Sequence, residues 1–251
     1  MSPAILEVKD LAKAFDGVRA VDRITFAVAA GERVALIGPN GAGKTTCFNL
    51  VNGQLRPDAG AIVLAGQRVD GLPPQLIAKR GVGRTFQVAA TFASMTVREN
   101  VVLALLAHAG KHGAMLAAPS IAFAAGADAL LARVECRELA DRHCAALAYG
   151  DAKRVELALA LAGAPKLLLM DEPTAGMAQH ARAVLMELAS SLAQRDGIAV
   201  LFTEHDMDVV FGFADRVIVL DRGKIIAEGP PDAIRADPRV QAVYLGVDAD
   251  A

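Results

Sequence analysis

Residues 33–37 (RVALI) form a short apolar run, and GPNGAGKTT follows it directly at residues 38–46. The second stretch holds three glycines, one lysine and no large apolar side chain, so it cannot be a core segment. A buried strand that ends in a glycine loop and reopens as a helix at Lys44 leaves few architectures open. It calls for a sheet with the loop at a strand end and a helix packed behind it. The loop itself must do something other than fill space.

The spacing Gly38-x-x-x-x-Gly43-Lys44-Thr45 is that of a phosphate-binding loop. Phosphate oxygens need many donors close together, and backbone N–H groups supply them only where side chains stay away. Glycine permits that approach and the positive φ it requires. A helix opening at Lys44 directs unsatisfied N–H groups and the positive end of its dipole at an anion. Gly38, Pro39, Asn40, Gly41, Ala42, Gly43, Lys44, Thr45 and Thr46 are therefore the candidate nucleotide-binding residues. Lys44 would reach the β- and γ-phosphates, and the Thr45 hydroxyl would ligate Mg²⁺.

A magnesium triphosphate also needs a carboxylate. LLLMDE places Asp171 and Glu172 at the end of an apolar strand, where ligands of open α/β sheets bind. Asp171 would orient a Mg²⁺-bound water, and Glu172 would polarise an attacking water. No N-K-x-D motif for reading guanine occurs. The path from Lys44 to Asp171 is longer than a small-molecule kinase usually has.

Strands are expected at 5–8, 24–28, 33–37, 61–65, 82–86, 166–170 and 198–203, and a hairpin at 216–228 turning on Asp221-Arg222-Gly223. Helices are expected from 44 to 52, after Pro73-Pro74, after a capping box from Thr96 to Glu99, and at 179–195, 206–213, 230–236 and 238–245. From Thr96 to about Ala164 everything reads as helix or loop. This alternation argues for a mostly parallel sheet covered on both faces, with an α-rich lobe inserted.

Apolar residues make up 54% of the 251, but alanine inflates that share. The longest uncharged stretch, HGAMLAAPSIAFAAGA, falls short of the ~20 residues of a spanning helix and contains Pro119 and Gly126. MSPAILEVKD lacks a basic region followed by an apolar one, which reads as no secretory signal. The three cysteines show no ligand spacing and suit a reducing compartment. A net charge of −2 without a strongly basic tract argues against nucleic acid as the main partner.

In the order of its motifs, the whole chain resembles an ATP-binding cassette (ABC) ATPase, the engine subunit of ABC transporters. The fold this implies is α/β: a P-loop NTPase of the ABC ATPase type with an inserted α-helical subdomain and an N-terminal antiparallel β subdomain. The implied division is a single domain, 1–251, with a RecA-like core at 1–87 and 163–251 and a helical signature subdomain at 88–162. The resemblance implies ATP and Mg²⁺ as ligands. Phe15 in KAFDGVRAVD matches the aromatic that stacks on adenine, Gln87 in GRTFQ the glutamine that touches Mg²⁺, and His205 in LFTEHDMDVV the switch histidine beside the γ-phosphate. Leu147-Ala148-Tyr149-Gly150-Asp151 matches the LSGGQ signature, which contacts the nucleotide held by a second subunit.

Three positions depart from the common pattern. Ala148 replaces Ser and removes a hydroxyl donor. Asp151 replaces Gln, adding a carboxylate near phosphate or a helix cap. Ala178 stands where an aspartate is frequent. RTFQ with MTVRENV, the LAYG signature, TEHDM and the tail DPRVQAVYLG are similar to the branched-chain amino acid uptake subfamily. That similarity implies a second ATPase subunit, two transmembrane permeases with Phe86, Phe92 and Met95 as candidate contacts, and a periplasmic solute-binding protein. It implies a peripheral place on the cytoplasmic face of the inner membrane. The competing readings are an exporter ATPase and a soluble ABC ATPase acting on DNA or ribosomes.

Overall fold

A computed structural model of the chain describes residues 3–85, 91–111 and 121–245. The chain opens with β1 (Ala4–Phe15) and β2 (Val18–Ala29), then β3 (Arg33–Ile37), whose end leads through the glycine loop into α1 (Lys44–Val51). β4 (Ala59–Leu64), β5 (Gln67–Arg68), α2 (Pro74–Lys79) and β6 (Val82–Thr85) follow. The elements described between Thr96 and Ala164 are all helical: α3 (Val97–His108), α4 (Ile121–Arg133), two short 3-10 turns and α5 (Tyr149–Leu161). Alternation resumes with β7 (Leu167–Asp171), α6 (Gln179–Asp196), β8 (Ala199–Thr203), α7 (Met207–Phe213), β9 (Arg216–Asp221), β10 (Lys224–Gly229), α8 (Pro231–Ala236) and α9 (Pro238–Leu245).

The strands form two sheets. One has four strands in the order β2-β1-β4-β5, with each neighbouring pair antiparallel. The other has six strands in the order β10-β9-β3-β8-β7-β6, parallel except for β10. Among the described residues, three hairpins close through two-residue loops whose second member is glycine: Asp16-Gly17, Ala65-Gly66 and Arg222-Gly223. All six residues have positive φ, the backbone twist that matches paired strands. The third is the hairpin expected from the sequence. The first two, and β5 with them, were not anticipated.

The six-stranded sheet is buried on both faces, which explains its continuous apolar runs. Val34, Leu36, Leu167, Leu169, Leu201, Ile218 and Leu220 face one core, shared with α1 and the four-stranded sheet. Their alternates Ala35, Ile37, Leu168, Met170, Val200, Phe202, Val217 and Val219 face the other, shared with α5, α6 and the helices beyond. Full burial of such a side chain is worth roughly 1.5–3 kcal/mol. A one-residue slip in any of these strands would exchange its two sets, so both cores fix the register.

The capping box before α3 is present. Thr96 Oγ1 accepts from the Glu99 N–H at 3.2 Å, and Glu99 Oε2 accepts from the Thr96 N–H at 2.7 Å. That second bond holds the Glu99 carboxyl below the usual carboxylate range. Thr96→Ala leaves the Glu99 N–H without its side-chain partner and is expected to lower stability by about 0.5–2 kcal/mol. Urea unfolding read by far-UV circular dichroism measures it, and a midpoint unchanged from wild type would count against the role given to the box. None of the described helices is long and apolar enough to cross a membrane.

Candidate active site

The parallel strands β3, β7 and β8 deliver their carboxyl ends to one edge of the sheet. There β3 passes into the glycine loop, β7 ends on Asp171, and β8 runs to Thr203 with Glu204 and His205 just beyond. The β7–β8 register places Asp171 directly opposite Thr203. A cleft of about 310 Å³ is lined by Ala20, residues 40–46, Glu172 and His205. Three segments remote in sequence, each expected to touch nucleotide, thus share one cavity.

The loop is enclosed closely by its surroundings. Gly38 has φ 152°, and a Cβ there would lie 2.2 Å from the Leu220 carbonyl oxygen. Gly43 has φ 108°, and a Cβ there would lie 2.2 Å from the Ala20 carbonyl oxygen. The Gly223 N–H donates to the Ala42 carbonyl at 3.0 Å, and the Asp22 N–H donates to the Gly223 carbonyl at 2.8 Å. β2 and the β9–β10 turn therefore brace the outer wall of the loop. Gly43 is the N-cap of α1 and supplies no side-chain cap, so the first N–H groups of the helix point at the cleft without one.

Lys44 is buried, and its Nζ donates to the carbonyls of Gly38 at 2.6 Å and Pro39 at 3.0 Å. Burial pulls its pKa below the usual lysine value, while Glu172 and Asp171 oppose the shift. This donor set fits a polyphosphate: helix N–H groups, glycine backbone and one ammonium. Among the described residues no group of three or more His, Cys, Asp or Glu side chains could hold a metal alone. One carboxylate and a hydroxyl beside a phosphate loop suit Mg²⁺, which keeps waters and shares its shell with phosphate.

Both Asp171 oxygens are engaged. Oδ1 accepts from Thr203 Oγ1 at 2.8 Å, and Oδ2 accepts from Arg84 Nη2 at 3.3 Å. Glu172 sits at φ 47°, a conformation rare for a residue with a side chain and costing about 1–3 kcal/mol. Its N–H donates to Thr203, 3.0 Å to Oγ1 and 3.2 Å to the carbonyl, which holds the backbone there. His205 Nε2 lies 2.8 Å from Glu172 Oε1. With Glu172 ionised, that nitrogen carries the proton.

Phe15 is exposed at the tip of the β1–β2 hairpin, with Lys13 Nζ 5.5 Å from its ring centroid. Ala148 is the N-cap of α5 and makes no side-chain cap. Tyr149 donates from its hydroxyl to the Ala175 carbonyl at 3.3 Å, and Gly150 packs against Ala181 of α6. Asp151 is not the helix cap that was one expectation: it lies in the first turn and accepts from Arg154 Nη2 at 2.7 Å. Residues 147–151 are not among those lining the 310 Å³ cleft. Ala178 is the N-cap of α6, again without a side-chain cap. Gln87 and Phe86 lie outside the described residues.

Sequence reading missed five residues that hold the site. Glu204 is buried and accepts from the Thr174 N–H at 2.9 Å, Thr174 Oγ1 at 2.7 Å and the His205 N–H at 3.2 Å. It ties the turn after Glu172 to the histidine. Asp206 N-caps α7 and accepts from Arg182, whose Nε donates to the Met177 carbonyl at 2.8 Å. Thr203 and Arg84 hold Asp171. For Arg84, Glu204 and Asp206 the available signal was charge in or just beyond a buried strand, where a carboxylate or guanidinium must find partners.

A family model described as "ABC transporter" matches residues 21–175, and one described as "Branched-chain amino acid ATP-binding cassette transporter" matches residues 224–250. The high-affinity branched-chain amino acid transport ATP-binding protein LivG of Escherichia coli K12 is 40% identical, covering 98% of this chain and 99% of its own. An ATP-binding cassette of an ABC transporter in its ADP conformation superposes with TM-score 0.88 at 30% identity, covering 98% of this chain and 100% of that one. A dimeric cassette in a post-hydrolysis state, bound to ADP and Pi, gives TM-score 0.76 at 26% identity, covering 90% of this chain and 98% of that one.

Proposed function

We propose a function from one premise: this chain belongs to the ABC transporter family, as one of its ATP-hydrolysing subunits. In our reading it powers uptake of branched-chain amino acids or related small solutes. The likeness to LivG and the match of residues 224–250 support that choice over an exporter or a soluble DNA- or ribosome-bound ATPase. The observation that carries the catalytic reading is the single cleft shared by Lys44, Thr45, Glu172 and His205.

The roles follow from chemistry. Backbone N–H groups of residues 41–46 and the Lys44 ammonium bind the β- and γ-phosphates, and Phe15 stacks on adenine. Thr45, Gln87 and Asp171 would hold Mg²⁺, Asp171 by orienting a water of the ion. Bound there, the ion would neutralise charge on the phosphate oxygens. Glu172 orients and deprotonates the attacking water, and His205 holds Glu172 and meets the γ-phosphate. Ala148, Tyr149, Gly150 and Asp151 contact the nucleotide of a second ATPase subunit, which is consistent with their absence from this chain's own cleft.

Residues 1–87 and 163–251 form the core and 88–162 the helical subdomain in this proposal. ATP favours the closed dimer and its products the open one, and that difference in affinity drives the permease. A groove of about 650 Å³, lined among others by Gln75, Ala78, Phe92, Leu103 and Ala107, spans residues assigned to both parts. Phe92 is exposed in it. It is the docking site for a permease segment on the cytoplasmic face of the inner membrane.

Reconstitution tests this. Proteoliposomes carrying the chain, its partner ATPase and two permeases should take up radiolabelled leucine, isoleucine or valine only with ATP and a solute-binding protein. Permease copurification without uptake of any of these would overturn the solute class. Copurification with ribosomes or DNA instead would overturn the transport role.

A further inference from the structure

Arg84 lies on β6, beside β7, with its side chain 8% exposed. Its Nη1 donates to Asn49 Oδ1 at 2.9 Å and to Gln54 Oε1 at 3.0 Å, while Nη2 donates to Asp171 Oδ2 at 3.3 Å. Asn49 belongs to α1, the helix that carries Lys44 and Thr45. Thr45 and Asp171 are the two sides from which a magnesium ion would be held. One guanidinium therefore spans the two elements whose separation sets the size of that site.

We propose that Arg84 is a positioning residue for the metal: it fixes Asp171 relative to α1, and so fixes the gap in which the hydrated ion sits. The inference rests on the reading of Asp171 as the metal-side carboxylate. The planar fork is what the geometry uses, because one nitrogen faces α1 and the other faces β7. A lysine would bring the charge but only one nitrogen and no planar fork, so it would reach both sides with poorer geometry. Thr203 restrains the other Asp171 oxygen, so loss of Arg84 leaves the carboxylate hinged on a single partner. The same Arg84 lines the groove that holds Phe92, so groove and carboxylate share a side chain.

The experiment uses the full chain, a fluorescent ATP analogue, and Mn²⁺ read by electron paramagnetic resonance as a spectroscopic substitute for Mg²⁺. Arg84→Met should bind the analogue in EDTA within about twofold of wild type, yet hold Mn²⁺ in the nucleotide complex at least tenfold more weakly. Arg84→Lys should recover little of this. If the Arg84 variants do not fold, Asn49→Leu removes the α1 end of the bridge and should weaken Mn²⁺ at least threefold. Asp171→Asn is the control for the underlying reading. If Asp171→Asn leaves Mn²⁺ affinity unchanged, that reading falls and the inference with it. If Asp171→Asn weakens Mn²⁺ but folded Arg84→Met or Asn49→Leu does not, the inference alone falls. A parallel loss of metal-free nucleotide binding in Arg84→Met would assign Arg84 to general architecture and overturn it as well.

Discussion

Glu172→Gln stops steady-state ATP hydrolysis, with kcat expected to fall by about 10²–10⁴-fold, the range for loss of a general base. Nucleotide still binds. The two outcomes separate because, in the proposed mechanism, the side chain and the backbone of residue 172 have different tasks. The backbone is held at φ 47° by Thr203, and glutamine keeps those bonds. Its amide oxygen can still accept from His205 Nε2, which now lies 2.8 Å from the carboxylate. What glutamine cannot do is take a proton from water. Phosphate release and fluorescent-nucleotide binding, measured on the same preparation, check both halves. Wild-type turnover in the variant would remove Glu172 from the role of base, and loss of binding would show that its charge serves the ground state.

The second large effect concerns a single methyl group. Gly43→Ala places a Cβ 2.2 Å from the Ala20 carbonyl oxygen, at a φ of 108° that alanine avoids. The obstacle is backbone in a paired strand, so it cannot rotate away. Either the loop or β2 must shift, and each donor aimed at the cleft shifts with it. Nucleotide affinity is expected to fall at least a hundredfold, with a stability loss of about 2–4 kcal/mol, the upper range for overpacking added to strain. Gly41→Ala is the internal comparison. Its φ of 80° is equally unsuited to alanine, but nothing lies within 4 Å of the added carbon. It carries only the left-handed penalty, roughly 1–2 kcal/mol. Calorimetric titration with ATP and thermal melts on both variants test the pair. Equal affinity losses would mean that conformation, rather than the Ala20 contact, governs the loop.

The parts that were legible in the sequence are those in which one residue's environment is set by its neighbours along the chain. Arg33–Ile37 is a strand buried on both faces, so it reads as an apolar run whatever its partners. The Thr96 to Glu99 box closes within one turn. The loop glycines announce themselves by spacing. The four-stranded sheet was harder. Its long β1 and β2 carry register shifts between Val8 and Leu11 and between Leu11 and Lys13, and Asp10 and Arg23 have positive φ. These bulges break the period-two pattern, so only the fragments 5–8 and 24–28 look like strands. The Asp16-Gly17 pair was a hairpin signal that those broken flanks concealed.

The site divides in the same way. Lys44, Thr45, Asp171, Glu172 and His205 stand in short motifs with their own spacing, and the structure places their segments at one edge of the sheet. Arg84, Glu204 and Arg182 act across long stretches of chain. Arg84 is defined by Asn49 and Asp171, Glu204 by Thr174, and Arg182 by Asp206. Nothing local to GRTFQ says that its arginine faces a carboxylate far along the chain. A buried charge has to be matched by a partner, but the sequence does not say where that partner comes from.

The position of β3 between β9 and β8 has a consequence for biosynthesis. The strand that leads into the phosphate loop is made early, but both its neighbours, 199–203 and 216–221, come from the last quarter of the chain. The brace on Ala42 comes later still, from Gly223. While the N-terminal half emerges from the ribosome, β3 lacks both its sheet neighbours, and the loop has the β2 side of its wall but not the side supplied by Gly223. Such non-local pairing closes slowly and leaves apolar strands uncovered meanwhile. ATP therefore meets its complete pocket only after β8, β9 and the turn at Gly223 have joined β3.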